Sequence, residues 1–126
     1  MHIGIALLVQ GKNKEALVEL ERGNTLMPGS ASALVGFVYA KSGNRQVALE
    51  ILRQVNDPAK RYRGTAFDQA ILYMGLGDMD RAFDSFNEAC DQRAPLIDRL
   101  KVDPFFASLR PDPRYARLLR RMNLTP

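Results

Sequence analysis

The chain contains one cysteine and one histidine in 126 residues, and this scarcity excludes most site chemistry. Cys90 has no partner for an internal disulfide, and we expect it to be a half-buried, small apolar residue in a reducing compartment. His2 stands at the start of the chain without candidate ligands nearby, so we predict no metal site. Without a nucleophile-base pair or a metal-activated water, we expect no enzyme, no catalytic residues and no cofactor.

Long hydrophobic runs are also lacking. The apolar stretch at residues 2–9 is too short to span a membrane, and it has neither a basic leader nor a small-residue cleavage site. We therefore predict no signal peptide and no membrane anchor, and a cytoplasmic location. No segment has the pattern of a strand, and the glycines are single turn residues rather than parts of a phosphate-binding loop.

What the chain does contain is a heptapeptide that recurs three times. It reads GKNKEAL at Gly11, GNRQVAL at Gly43 and GDMDRAF at Gly77, and the glycines are 32 and 34 residues apart. A period near 34 residues is typical of helix-turn-helix repeats. Aligning the glycines gives columns of small residues (Gly4, Gly36, Ala70; Ala16, Ala48, Ala82; Gly23, Val55, Ala89) and of large ones (Leu7, Tyr39, Tyr73; Leu20, Leu52, Phe86).

These columns have a physical explanation. Two helices approach closely only where one presents glycine or alanine, so the small columns mark helix crossings. Each heptapeptide glycine follows an apolar run, where a left-handed residue ends a helix, and Asn44 and Asp78 are placed to cap the next one. We predict helices near residues 2–10, 13–26, 30–41, 45–55, 59–75 and 79–92, with Pro28, Pro95 and the pair Asp57-Pro58 at boundaries.

The pattern resembles the tetratricopeptide repeat family. The resemblance implies an all-α fold, a right-handed α-solenoid of about three repeats. They would span residues 1–28, 29–62 and 63–95, followed by a capping segment at 96–126. Because the family's first helix begins before the position of Met1, we expect a fragment, a truncated gene product or a self-associating end.

The C-terminal segment is the second informative stretch, and from Val102 it reads VDPFFASLRPDPRYARLLRRMNL. This string resembles the end of tetratricopeptide regions in bacterial multidomain signalling proteins, which also carry adenylate cyclase, protein kinase, winged-helix or β-propeller domains. Asp103-Pro104 and Asp112-Pro113 each predict a capped helical start, and Tyr115, Leu118, Leu119 and Met122 form one apolar stripe that, with Phe105, Phe106 and Leu109, covers the last repeat. Residues 93–126 carry eight Lys/Arg against three Asp/Glu. The basic residues of the last helix, the basic tail face, are either a solvated face or a surface for an acidic partner, and nucleic acid is not expected. They are Arg114, Arg117, Arg120 and Arg121.

The resemblance also implies a binding site, because in the family the first helices of successive repeats line a concave groove. The corresponding positions are Ile5, Leu8, Val9, Ala33, Phe37, Ala40, Lys41, Phe67, Ile71 and Met74. Only Lys41 fits the polar pattern of members that bind a C-terminal carboxylate, so an apolar or amphipathic peptide is the expected ligand. Periodicity alone cannot distinguish lining from core at these positions.

Two functions follow as hypotheses. The first is a non-catalytic protein-protein interaction module whose partner is a protein or peptide, with another domain of the same polypeptide as one candidate. The second is a structural or oligomerising C-terminal tail of a larger signalling enzyme or transcription regulator, in which self-association would involve the N-terminal end.

Overall fold

A computed structural model of the chain describes Leu7, residues 10–26, 32–60 and 65–93, Ile97 and residues 99–122. These residues form helices and turns, and no strand occurs among them. The helices are α1 (Asn13–Leu26), α2 (Ser32–Lys41), α3 (Arg45–Val55), α4 (Thr65–Leu76), α5 (Met79–Asp91), the short α6 (Arg99–Val102) and α7 (Pro113–Arg121). Two 3-10 turns, Pro58–Lys60 and Pro104–Leu109, precede α4 and α7.

The helix boundaries agree with the sequence expectation for α1, α3 and α5 to within one residue. The helix expected near residues 59–75 is different, since Pro58–Lys60 is a 3-10 turn and α4 begins at Thr65. The Asp57 carboxylate accepts the N–H of Ala59 at 3.0 Å, which closes a local turn around the proline. Most of the helix expected near residues 2–10 lies outside the described residues, as do Pro28 and Pro95.

The three heptapeptide glycines adopt the same left-handed conformation, with φ of 78° at Gly11, 89° at Gly43 and 80° at Gly77. In each turn the N–H of the next residue donates to the carbonyl five residues earlier. The three distances are 2.9 Å for Lys12 to Leu7, 2.8 Å for Asn44 to Tyr39 and 3.0 Å for Asp78 to Tyr73. This hydrogen bond is the mark of a glycine-terminated helix, and its recurrence in one alignment column confirms that the turns repeat in structure.

Side-chain caps follow two of these turns, as expected. Asn44 Oδ1 accepts the N–H of Val47 at 3.5 Å, and Asp78 Oδ1 accepts the N–H of Arg81 at 3.2 Å. The first turn has Lys12 at this position, which cannot accept a hydrogen bond through its side chain. Only the second and third turns therefore combine a glycine stop with a capped start.

The core lies where the small columns bring helices together. The side chains of Ala16, Ala48 and Ala82 are completely buried, each one turn into the second helix of a repeat. Helices α2 and α4 cross without room for a side chain at two glycines. A Cβ on Gly36 would overlap the Leu72 side chain, and one on Gly75 would lie 2.9 Å from the Cα of Phe37. These crossings place α2 directly beside α4.

The C-terminal segment packs on α4 and α5. Asp103 and Asp112 accept the N–H groups of Phe105 and Arg114 at 3.0 and 2.9 Å, which confirms both predicted caps. The predicted apolar stripe of α7 is also confirmed, because Tyr115, Leu118 and Leu119 are buried. The hydroxyl of Tyr115 donates to the carbonyl of Leu100 at 2.9 Å, so the one buried polar group of this stripe is satisfied.

Two glycine substitutions test the role of the turns. Replacing Gly43 with alanine should lower the free energy of unfolding by about 1 kcal/mol, because its left-handed backbone strains any residue with a Cβ although the surrounding space is open. The matched control is Gly23→Ala, where a Cβ also meets nothing within 4 Å but the backbone is helical. This change should raise stability by about 0.5–1 kcal/mol. Denaturant melts that show equal effects would contradict this explanation.

Candidate binding surface

The predicted groove positions on α2 and α4 lie on neighbouring helices and are mostly covered. Ala33, Phe67, Ile71 and Met74 are buried, Phe37 and Ala40 are half-buried, and Lys41 is exposed. Ile5, Leu8 and Val9 lie outside the described residues. The four buried residues belong to one core cluster, against which Phe37 packs. We call the surface that these five residues form the α2/α4 face, and partner binding there stays a prediction.

The chain's own C-terminal segment covers this face. The ring centroid of Phe105 lies 4.9 Å from that of Phe37 on α2, and the centroid of Phe106 lies 5.8 Å from that of Phe67 on α4. Two adjacent residues of the Pro104–Leu109 turn therefore contact the first helices of two different repeats. The sequence indicated that Phe105 and Phe106 cover the last repeat, but it gave no signal that Phe105 reaches the second.

All six phenylalanines of the chain belong to one cluster. Phe106 lies 6.0 Å from Phe86, Phe67 lies 5.9 Å from Phe86, and Phe86 lies 6.2 Å from Phe83, all in edge-to-face arrangements. Each such pair contributes about 0.5–1.5 kcal/mol beyond simple burial. The α2/α4 face is therefore continuous with the core of α5.

A cation lies at each end of this cluster. The Lys41 ammonium is 5.7 Å from the Phe37 ring centroid, and the Arg114 guanidinium is 4.7 Å from that of Phe83. Both distances suit a cation-π interaction. Lys41 is exposed, so it is the one predicted groove residue that presents a charge to solvent at the edge of the α2/α4 face.

Two of the four arginines of the basic tail face bind α5, and the other two are exposed. Arg114 binds Asp80 of α5 at 2.7 Å and Asp112 at 2.8 Å, and the guanidinium holds the pKa of Asp112 below its usual range. Arg121 donates to the carbonyl of Asn87 at 2.8 Å and pairs with Asp91 at the other end of α5. We call these two attachments of α7 to α5 the arginine clasp.

The remaining two arginines, Arg117 and Arg120, are exposed. They fit the solvated face that the sequence allowed. No sequence pattern indicates the arginine clasp, because the paired residues are 30 or more positions apart along the chain.

A polar cleft of about 390 Å³ lies on another side, where the end of α3 meets α4 and α5. It is lined by Asn56, Gln69, Tyr73, Arg81, Asp84, Ser85 and Glu88, none of which is a predicted site residue. Asn56 accepts a hydrogen bond from Gln69 across it. Within the described ranges no group of three or more His, Cys, Asp or Glu side chains could hold a metal ion.

Cys90 is half-buried, as expected, and burial raises the pKa of its thiol. A thiol with a raised pKa is protonated at neutral pH and is a poor nucleophile. Its surroundings are therefore those of a packing residue.

Comparisons with protein-family models, with curated proteins and with solved structures found no match to this chain. Among the helices that the structure describes, none has both the length and the apolar character that crossing a bilayer requires. The function must therefore be inferred from the chain's own residues and contacts.

The carboxyl of Asp68 on α4 is partly buried, and the pH dependence of stability tests this burial. Burial raises the pKa of this carboxyl to about 7, so the folded state holds a proton that the unfolded state has lost above about pH 4. The stability that this proton contributes is complete below pH 4 and lost as the pH rises through 7. Asp68→Asn should therefore be more stable than the parent at pH 8, by up to about 2–4 kcal/mol, and should melt with little pH dependence between 4 and 7. Parallel pH profiles for both proteins would show that Asp68 titrates normally.

Proposed function

We propose that this chain is a non-catalytic protein-interaction module of the tetratricopeptide type, a right-handed solenoid that binds an apolar or amphipathic partner segment on its first helices. The observation that best supports this function is that the α2/α4 face already binds an apolar segment, the Pro104–Leu109 turn of the chain itself. A face that holds one short segment through its side chains has the shape and the chemistry to hold another.

The repeat architecture in this proposal is supported by the turns. The pairs α2/α3 and α4/α5 each have a glycine stop, the same carbonyl-to-amide hydrogen bond, and a capped second helix. Units that repeat their turn geometry also repeat their packing angle, which produces a solenoid with its first helices on one side. We place the protein in the cytoplasm, in keeping with its half-buried free cysteine.

The ligand class follows from the lining. The α2/α4 face presents aromatic and aliphatic side chains, with Lys41 as its one predicted charged position. A peptide carboxylate needs several donors for its oxygens, whereas an apolar side chain needs desolvated neighbours. The face is therefore suited to an amphipathic helix or an extended apolar segment, supplied by another protein or by another domain of the same polypeptide.

A peptide library displayed on phage tests the module hypothesis. We expect selection on the full chain to enrich apolar peptides whose affinity falls about tenfold or more in Phe37→Ala, since that ring lies at the accessible edge of the face. Leu49→Ala is the control, because Leu49 is an exposed apolar residue of α3 outside the face. Circular dichroism should show both variants folded. Enriched peptides that bind both variants as well as the parent would rule out this site.

The alternative function, a structural or oligomerising tail of a larger regulator, is favoured by one residue. Val18 on α1 is 60% exposed, and its alignment column has charged residues, Glu50 and Asp84, in the other repeats. A single exposed apolar side chain is common on monomers, so the departure from the carboxylates of the other repeats is what distinguishes Val18. In this hypothesis α1 packs against another copy or another domain.

Self-association through α1 can be measured by sedimentation. If the chain forms dimers, Val18→Glu should shift them to monomers, because a carboxylate cannot be desolvated without a partner. Val102→Glu is the matched control, since Val102 on α6 is 67% exposed. A parent chain that is monomeric at all accessible concentrations, or equal responses to the two changes, would argue against this role.

A further inference from the structure

The way in which the C-terminal segment occupies the α2/α4 face defines the chemistry that the face recognises. Phe106 is buried to 3% exposure between Phe67 and Phe86, whereas Phe105 is half-buried against Phe37 at the edge. The two neighbouring rings are 5.0 Å apart and nearly perpendicular, at 89°. Two adjacent residues of the segment therefore contact different helices, Phe105 contacting α2 and Phe106 contacting α4.

The backbone of the segment is held in the conformation that this step requires. The Asp103 carboxylate accepts the N–H of Phe105 at 3.0 Å, and the Asp103 carbonyl accepts the N–H of Phe106 at 3.1 Å. Pro104 fixes the first backbone angle of the turn. The sequence Asp-Pro-Phe-Phe is therefore preorganised to direct two adjacent rings toward two different helices.

We propose that the partner of this face is a segment with two adjacent aromatic side chains at a capped turn, and that it binds by displacing the chain's own Pro104–Leu109. This inference depends on the proposed function, since it specifies the partner of the same face. Its chemistry is that of a peptide with an acidic cap residue followed by an aromatic pair.

The internal segment is held by buried side chains, among them Phe106 and Leu109, which a partner must replace, and by ion pairs, which are weaker. The arginine clasp fixes α7 through side chains that are partly or largely exposed, with 33% exposure for Arg114 and 90% for Asp80. Exposed ion pairs are weak and are screened by salt.

Displacement exchanges the internal segment for a partner that supplies the same two rings, so the core that Phe106 closes stays filled. Helices α2 and α4 keep their close crossings at Gly36 and Gly75, where the contacting side chains do not belong to the C-terminal segment. An internal ligand of this kind lowers the apparent affinity for a partner by the fraction of time that the face is open. Loosening the clasp should therefore raise that affinity without any change in the face.

The test uses the full chain and a fluorescent peptide with the sequence of residues 102–110, VDPFFASLR, followed by anisotropy. We expect the double variant Arg114→Ala/Arg121→Ala, which breaks the clasp, to bind the peptide at least tenfold more tightly than the parent chain. The double variant Arg117→Ala/Arg120→Ala removes the same charge from α7 but only exposed side chains, and it should bind like the parent. A peptide with both phenylalanines replaced by serine should not bind.

Phe105→Ala provides a second route if the clasp variant loses its helical circular dichroism. It vacates the site beside Phe37, and because Phe105 is only half-buried the chain should stay folded and should also bind the peptide at least tenfold more tightly. Equal affinities of the folded variants and the parent, or binding of the serine peptide, would overturn the proposal. If the library peptides need Phe37 but lack an aromatic pair, the interaction module is supported and the aromatic-pair proposal is overturned. If the library yields no peptide that needs Phe37, both proposals are rejected.

Discussion

The packing of Phe105 and Phe106 against α2 and α4 is the interaction on which the rest of the structure depends. It joins the Pro104–Leu109 turn to helices that begin at Ser32 and Thr65, and it extends the aromatic cluster from α5 to α2. Repeat arrays are held together mainly by contacts between neighbouring units. Here one segment contacts two units at once, so the stability of both repeats is coupled to the position of the C-terminal turn.

That packing is possible because of backbone geometry set much earlier in the sequence. The left-handed glycines end the first helices at equivalent positions, and Gly36 and Gly75 allow α2 and α4 to approach without intervening side chains. Close approach of the two helices puts Phe37 and Phe67 near enough for adjacent residues to reach both. The spacing of the repeat therefore determines the spacing of the two aromatic sites, and a bulky residue at either crossing would separate them.

The features that the sequence predicted correctly are local ones. Glycine stops, aspartate and asparagine caps and the apolar stripe of α7 depend on residues within about one or two helical turns, so their patterns are visible in the chain itself. The arginine clasp and the reach of Phe105 join residues far apart in sequence, and no periodicity encodes such contacts. Helices α2 and α4 are apolar on most sides, so their pattern could not distinguish lining from core, and the structure buries Ala33, Phe67, Ile71 and Met74.

The ion pairs between α7 and α5 explain part of the excess of basic residues in the C-terminal segment. Two of its arginines bind Asp80 and Asp91, which lie at opposite ends of α5. These two ion pairs fix the position of α7 along α5. In the proposed displacement, the apolar contacts of the segment would set which ligand fits the face, while the ion pairs would set how often the face is free. Because apolar packing is nearly independent of salt and exposed ion pairs are not, the two properties respond to different conditions. Under that proposal, the composition of a partner and its access to the face would be determined by different residues of the same segment.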